Sequence, residues 1–198
     1  MAADPQGLSQ ARAHLLELSP EGGTYESLGP VSIGFRMTQP GRTPGSVAAL
    51  RNKSLWIVHM LRHVLQTSRG DTAFADFLAD IQGRFRGKSI STDDFKRLAE
   101  KHAGKSLDWF FDSWVFASGV PAYTLDYKID PGPGGFVVSG RVTQSGVPVT
   151  FEVPVPLYAD DVLLGMVEVS SDGGDFRFTT RTRPLQVRVD PHGTILTH

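Results

Sequence analysis

Apolar residues recur at three- and four-residue steps through the first half of the chain, a spacing that predicts a series of helices. The first covers residues 4–18, with Asp4 as its N-cap and Pro5 at the first helical position, where proline is tolerated. Residues 25–36 alternate between apolar and small or polar positions and fit a short strand or an extended loop, and residues 39–45, rich in proline and glycine, fit a loop. The apolar face of the first helix consists of Leu8, Ala11, Leu15 and Leu18.

Three further helices are predicted before residue 105. Residues 46–67 are apolar nearly all round, which is typical of a buried helix. Residues 71–85 follow with Asp71 as the expected cap, and their apolar positions are Phe74, Phe77, Leu78, Ile81 and Phe85. A last helix begins at Ser91, where Asp94 completes a variant of the capping box, and it ends at Gly104 with Phe95, Leu98 and Ala99 facing inward.

The segment 107–121, LDWFFDSWVFASGVP, concentrates aromatic residues in a short stretch. On an α-helix, Phe110 and Phe111 share a face with Trp114, while Asp112 and Ser113 face water. Glycine and proline then end the helix. Because the pattern is helical before this segment and alternating after it, we expect the segment to be the hinge between two domains, with its aromatic face buried.

After residue 121 the apolar period changes to two, which predicts β-strands. Six or seven short strands separated by turns rich in glycine and proline predict a β-sandwich of about 75 residues. The sequence therefore predicts a multi-domain α+β protein, with a helical bundle-like domain at 1–118 and an antiparallel sandwich at 119–198. The expected strands are 123–130, 136–144, 149–157, 162–169, 176–180 and 185–189, with a turn at 172–174.

Composition excludes several classes of function. The chain has 198 residues, a net charge of -1 and no cysteine, so it carries no electrostatic footprint for nucleic acid and no thiol nucleophile. No signal peptide and no membrane span are expected from the sequence, and the compartment stays open.

The residues themselves offer few candidates for catalysis. His59 and His63 have the spacing at which two histidines of a helix bind one metal ion, as in H-E-x-x-H, but Met60 replaces the glutamate that would activate water. We therefore treat both as weak metal candidates and expect one of them to pack in the helix face and the other to lie near its exposed edge. Asp160 and Asp161 are adjacent, point in different directions and fit a solvated turn between strands.

Two segments carry a family resemblance. They are NKSLWIVHMLRHVL at 52–65, followed by GDTAFADFL, and GKSISTDDFKRLAEKHAGKSLDWFFDSWVFASGVPAY at 87–123. In this order they resemble the C-terminal part of the catalytic domain of gluzincin zinc aminopeptidases, family M-one, which includes membrane alanyl aminopeptidase. The resemblance covers about residues 29–125 and implies an immunoglobulin-like β-domain after them. The positions that match the family's structural motifs are Lys53, Phe95, Phe110, Phe111, Trp114, Gly119 and Pro121.

The chain also departs from the family pattern. In the family, the zinc ligands and the loop that holds the substrate amine precede these segments, and neither motif occurs here. The family's Tyr-x-Lys-Gly supplies a tyrosine that stabilises the oxyanion; aligning Lys53 with its lysine puts Arg51 at the tyrosine position and Ser54 at the glycine. Arg51 would either stabilise negative charge or lie on the helix surface, and we favour the surface role.

The resemblance implies the C-terminal portion of a zinc aminopeptidase-like protein, active or inactive, whose helices line a peptide cleft and whose sandwich acts as a spacer or docking domain. This chain alone is expected to be inactive and to hold no cofactor, zinc belonging to the full-length parent. The expected partners are the upstream zinc-bearing domain, the parent's peptide substrate and a second copy of the chain. The alternative is a stand-alone module that binds protein or carbohydrate; it predicts no large exposed apolar face, whereas a portion of a larger protein predicts one.

Overall fold

The structure, a computed structural model, describes residues 4–20, 22–38 and 45–198. The chain divides into two units, Met1–Phe116 and Ala117–His198. The first unit is helical and the second contains two antiparallel sheets, so the predicted α+β fold, a helical region followed by a sandwich-like β region, is confirmed. The α-helices are α1 (Pro5–Leu16), α2 (Ser46–Arg69), α3 (Ala73–Phe85), α4 (Thr92–Ala103) and α5 (Asp108–Phe110).

Helix α1 begins as the sequence predicts but ends earlier. The carboxylate of Asp4 accepts a hydrogen bond from the Gln6 amide at 3.1 Å, which caps the first turn. The chain leaves the helix after Leu16 and reverses direction, with the Ser19 amide donating to the Gly23 carbonyl at 2.8 Å. The prediction that Leu18 belongs to the apolar helix face was wrong, because this residue lies beyond the helix end and is exposed.

The prediction of a strand or extended loop at 25–36 was also wrong. The structure has two 3-10 helices here, Tyr25–Leu28 and Val31–Thr38. Gly34 interrupts the second of them with φ 54° and ψ -125°, a conformation that is accessible chiefly to glycine. The short apolar run was too brief for its period to separate a strand from a tight helix. The predicted loop at 39–45 falls, up to residue 44, outside the described residues.

Helix α2 is the element against which the rest of the helical unit packs. It contacts α1, α3, α4 and both 3-10 helices, and its Leu61 and Leu65 are completely buried. Trp56 donates its indole N–H to the Leu8 carbonyl at 3.0 Å, so one buried side chain supplies both apolar area and a polar link to α1.

Helices α3 and α4 are joined by a cluster of charges. The Asp80 carboxylate accepts hydrogen bonds from Arg84 at 2.5 Å and Lys101 at 2.9 Å, and it lies 3.2 Å from the His102 ring nitrogen. The Lys101 and Arg84 hydrogen bonds hold the pKa of Asp80 far below its usual value. The carboxylate therefore stays ionised and links the two helices over a wide pH range.

Of the caps predicted for α3 and α4, only the second is correct. Ser91 caps α4 by accepting from the Asp94 amide at 3.1 Å, and its hydroxyl donates to the Asp94 carboxylate at 2.7 Å. The cap predicted for α3 was wrong, because the residue before that helix is Thr72 and Asp71 lies one position further out.

The aromatic segment is not a regular α-helix. After the short α5, residues Phe111–Val115 form a π-helical turn, in which the Phe116 amide donates to the Phe111 carbonyl at 2.9 Å. This wider turn brings Ser113, Trp114 and Val115 inside together. The expectation that Ser113 faces water was therefore wrong, because α-helical spacing does not apply here, whereas Asp112 is exposed as expected.

The strands of the β unit are β1 (Ala122–Gly132), β2 (Gly135–Ser145), β3 (Val153–Ala159), β4 (Val162–Val169), β5 (Gly174–Thr180) and β6 (Val187–Val189). They form two three-stranded antiparallel sheets, ordered β1-β2-β5 and β4-β3-β6. Strand β4 begins at residue 162, as predicted, whereas β3 and β6, expected from 149 and 185, begin four and two residues later, at 153 and 187. Val149 and Leu185 are consequently exposed.

The turn predicted at Asp160 and Asp161 connects β3 to β4. Asp160 adopts φ 53°, and its carboxylate accepts from the amides of Leu185 and Gln186, each at 3.1 Å. This carboxylate therefore fixes the segment that leads into β6.

None of the helices in the described ranges has both the length and the apolar character of a membrane-spanning helix.

Gly140 offers a test of the central strand β2. A Cβ atom at this position would lie 2.0 Å from the Asp126 carbonyl oxygen, a backbone atom that cannot move aside cheaply. We expect Gly140→Ala to lower the free energy of unfolding of the β unit by roughly 3 kcal/mol. The neighbouring Ser139→Ala should change it by no more than about 0.5 kcal/mol. Urea denaturation followed by circular dichroism compares them, and equal stability of the two variants would contradict this packing.

Candidate functional site

Lys53 is the most unusual charged residue of the helical unit. It lies on the buried side of α2, and 2% of its surface is exposed. Burial lowers the pKa of its ammonium from 10.5 to about 8, with the nearby negative charge of Glu26 acting in the opposite direction. Lysine is rarely buried to this extent unless an opposite charge compensates for it.

Glu26 supplies that charge from the 3-10 helix Tyr25–Leu28. It is buried, and its Oε1 accepts a hydrogen bond from the Thr24 hydroxyl at 3.0 Å. Its Oε2 is also buried and has no hydrogen-bond partner among the described residues. The two opposite charges, one on each element, therefore link α2 electrostatically to the segment that precedes it.

Arg51 lies on the solvent side of α2, two residues before Lys53. In a helix, positions two apart do not share a face, so burial of Lys53 directs Arg51 outward. This is the position that the resemblance predicts to match an oxyanion tyrosine, and its side chain is exposed.

The two histidines of α2 lie in different surroundings. His59 is half-buried with its ring edge-on to Trp56, at a centroid distance of 5.5 Å, whereas His63 is exposed. Within the ranges that the structure describes, no group of three or more His, Cys, Asp or Glu side chains is placed to hold a metal ion. Among the described residues, His59 and His63 are therefore not joined by a third side chain of these types.

The motif residues of the aromatic segment form part of the helical core. Phe110 and Trp114 are buried, and Phe111 lies between the rings of Phe110 at 5.7 Å and Phe95 at 6.2 Å. The remaining two motif positions belong to the β unit. Pro121 accepts at its carbonyl from the His198 amide at 3.1 Å, and Gly119 adopts φ 101° where a Cβ would meet the Gly146 carbonyl at 2.6 Å.

An ion pair closes the aromatic segment against α4. The Lys96 ammonium donates to the Asp108 carboxylate, which raises the pKa of Lys96 and lowers that of Asp108. The Lys96 ammonium also lies 5.9 Å from the centre of the Phe111 ring.

A large apolar groove runs between α1, α2 and α3, with a volume of about 860 Å³. Its floor is a stripe of α2 that includes Leu55 and Val58, and its far wall is α3, with Phe74 and Leu78. Leu55, Val58 and Leu78 are 45%, 43% and 41% exposed. We call this surface the α1–α3 groove.

Sequence reasoning missed the pairing of Lys53 with Glu26. Glu26 lies in a segment read as extended, and no periodicity pairs it with a lysine 27 positions later. An exposed apolar face was expected for a portion of a larger protein, and the apolar breadth of residues 46–67 was its signal, but the sequence did not identify the residues that line it.

Comparison with known proteins shows a similarity of fold, without a similarity of sequence. No protein-family model matches the chain, and no curated protein matches its sequence. One similar solved structure is an aminopeptidase A from Legionella pneumophila, determined in complex with aspartic acid, with a TM-score of 0.55. The chain shares its fold with part of an aminopeptidase. The match covers 76% of this chain and 18% of that chain at 18% identity, a level that shows the fold alone.

The buried lysine predicts an unusual dependence of stability on pH. Below about pH 8 both the folded and the unfolded state hold the Lys53 proton, and the folded state bears the full cost of a buried charge. As the pH rises from about 8 to 10.5, the folded state releases this proton first, so the unfolded state binds more protons and stability increases. The gain should reach about 3 kcal/mol.

Chemical denaturation followed by tryptophan fluorescence at a series of pH values measures this gain, because Trp56 lies on the same helix. The double variant Lys53→Met/Glu26→Gln is the control, since it removes both charges and should abolish the gain. A wild-type chain that gains no more stability than the double variant between pH 8 and 10.5 would show that the ammonium is not desolvated.

Proposed function

We propose that the chain is the non-catalytic C-terminal portion of a zinc aminopeptidase-like protein of the gluzincin family M-one. The observation that carries this proposal is the fold that most of the chain shares with part of an aminopeptidase. The ordered motifs from Lys53 to Pro121 support it, since in the family they follow the zinc ligands. The β unit is then the immunoglobulin-like domain that follows the catalytic domain in this family.

In this proposal the helical unit forms one wall of the parent's peptide cleft, and its chemistry depends on a zinc-bearing domain supplied by the rest of the parent. Arg51, at the position that the resemblance aligns with the family's oxyanion tyrosine, has an exposed side chain and is a helix-surface residue in this proposal. Lys53 and Glu26 act as positioning residues that hold this turn of α2 in place.

The α1–α3 groove is the surface we assign to contact with the zinc-bearing domain. Three large apolar side chains exposed along one groove are more than scattered surface residues, and patches of this kind mark interaction surfaces. The groove favours this reading over the stand-alone module, which predicts a helical unit without such a surface.

Metal analysis and a peptidase assay test the catalytic part of the proposal. The purified chain, dialysed against zinc, should retain far less than stoichiometric metal and should not hydrolyse chromogenic alanine or leucine anilides. The variant His59→Ala/His63→Ala should behave identically. Stoichiometric zinc and turnover in the wild type, both lost in this variant, would overturn the proposal and identify the two histidines as ligands.

Sedimentation measurements test the groove as an interface. In the absence of its partner, the chain should self-associate as its concentration rises, because pairing two copies removes the exposed apolar groove from water. Leu55→Glu/Val58→Glu should weaken this association by about tenfold or more, since carboxylates would have to be desolvated. Leu163→Glu/Val162→Glu, which introduces the same changes at exposed positions of the β unit, should leave it unchanged. Equal effects of the two double variants would refute the assignment.

A further inference from the structure

A second groove lies at the C-terminal end of α3 and has a volume of about 910 Å³. It is formed by the last turns of that helix and by the connection to α4. Its apolar lining includes Ile81, Phe85 and Ile90, all half-buried, and its rim carries the exposed side chains of Arg86 and Lys88. We call it the α3 groove.

The rim of the α3 groove has an excess of positive charge. Neither Arg86 nor Lys88 forms an ion pair with any carboxylate of the described residues. Other cations of α3 and α4 do form ion pairs. Arg84 and Lys101 both pair with Asp80, and Arg97 pairs with Asp94 at 2.6 Å. The two rim cations are therefore available to an acidic ligand.

The backbone that carries these cations is well defined. The Lys88 amide donates to the Phe85 carbonyl at 2.8 Å, and Gly87 adopts φ 74° between them. This tight turn fixes the point from which each cationic side chain leaves the backbone, so both begin at the edge of the same apolar surface.

Gly83 also lines the α3 groove and offers a position at which to test it. It lies inside α3, where glycine costs about 1 kcal/mol relative to alanine. No positive φ requires glycine here, and a Cβ would meet nothing within 4 Å, so a larger side chain fits without a clash.

We propose that the α3 groove binds an acidic amphipathic segment of a partner protein. Its carboxylates pair with Arg86 and Lys88, and an apolar side chain packs on Phe85 and Ile90. The chemistry favours a peptide over a nucleic acid, because a nucleic-acid site needs a broader basic surface than two cations on a chain of net charge -1. This site is separate from the α1–α3 groove and does not depend on the proposed peptidase origin.

Fluorescence anisotropy with a short labelled peptide, in which glutamate alternates with leucine, tests the proposal on the full chain. This peptide should bind, and its affinity should fall as salt is added, because exposed ion pairs are screened. A peptide with lysine in place of each glutamate, and a single-stranded oligonucleotide, should not bind. No binding of the glutamate peptide, or equal binding of all three probes, would overturn the proposal.

Charge reversal supplies the matched control. Arg86→Glu/Lys88→Glu should weaken binding of the glutamate peptide by about tenfold or more and should allow the lysine peptide to bind. Arg181→Glu/Arg183→Glu makes the same net change at two exposed positions of the β unit, also two residues apart, and should have no effect. If both double variants lost the same affinity for the glutamate peptide, the effect would depend only on the net charge of the chain, and a local site would be refuted.

Gly83→Leu separates binding from folding. Leucine favours a helix over glycine, so the thermal midpoint of the helical unit should rise. The same side chain would occupy the groove, so affinity for the glutamate peptide should fall. A variant that binds the peptide as well as the wild type does would place the bound peptide outside the α3 groove and overturn the proposal.

Discussion

The helical unit depends on the burial of α2. Every other helical element before the aromatic segment contacts it, and completely buried leucines in its second half leave no room for solvent. Interiors of this kind are close-packed, so a side chain lost here costs both its transfer energy and the cavity that remains. Hydrophobic burial is nondirectional, whereas the hydrogen bond from Trp56 to α1 has a defined geometry. This hydrogen bond therefore specifies which part of α1 lies against which turn of α2.

The same constraint explains the two chemical peculiarities of α2. A helix surrounded on most sides has few positions where a charge can reach water, and Lys53 falls on a side where it cannot. Its charge is tolerated because Glu26 is buried close by, although such a pair costs desolvation that its mutual attraction need not repay. The stripe with Leu55 and Val58 is the opposite situation: it is apolar, yet the described residues leave it partly exposed to solvent.

Sequence reasoning recovered what depends on long periodic patterns and local caps. The length of α2, the Ser91 cap and the change from helices to strands all follow from repeated spacing or from a single hydrogen bond between near neighbours. It failed where a few residues could take either period, as in the 3-10 segments around Gly34. The site was harder to predict from the sequence, because Glu26 and Lys53 come together only through tertiary packing and no local sequence pattern indicates it. The exposure of one α2 stripe likewise depends on how many neighbours surround the helix.

The π-helical turn changes what an alignment of this segment means. An α-helix advances by about 100° per residue, so a turn that accommodates one extra residue rotates everything on one side of it relative to the other. Two relatives with identical letters here would present different side chains to the interior if one of them kept regular α-helical geometry. An alignment of this motif therefore has to match the helical geometry as well as the residues. Ser113 is the position that would be buried in the π-helical form and would face water in a regular α-helix.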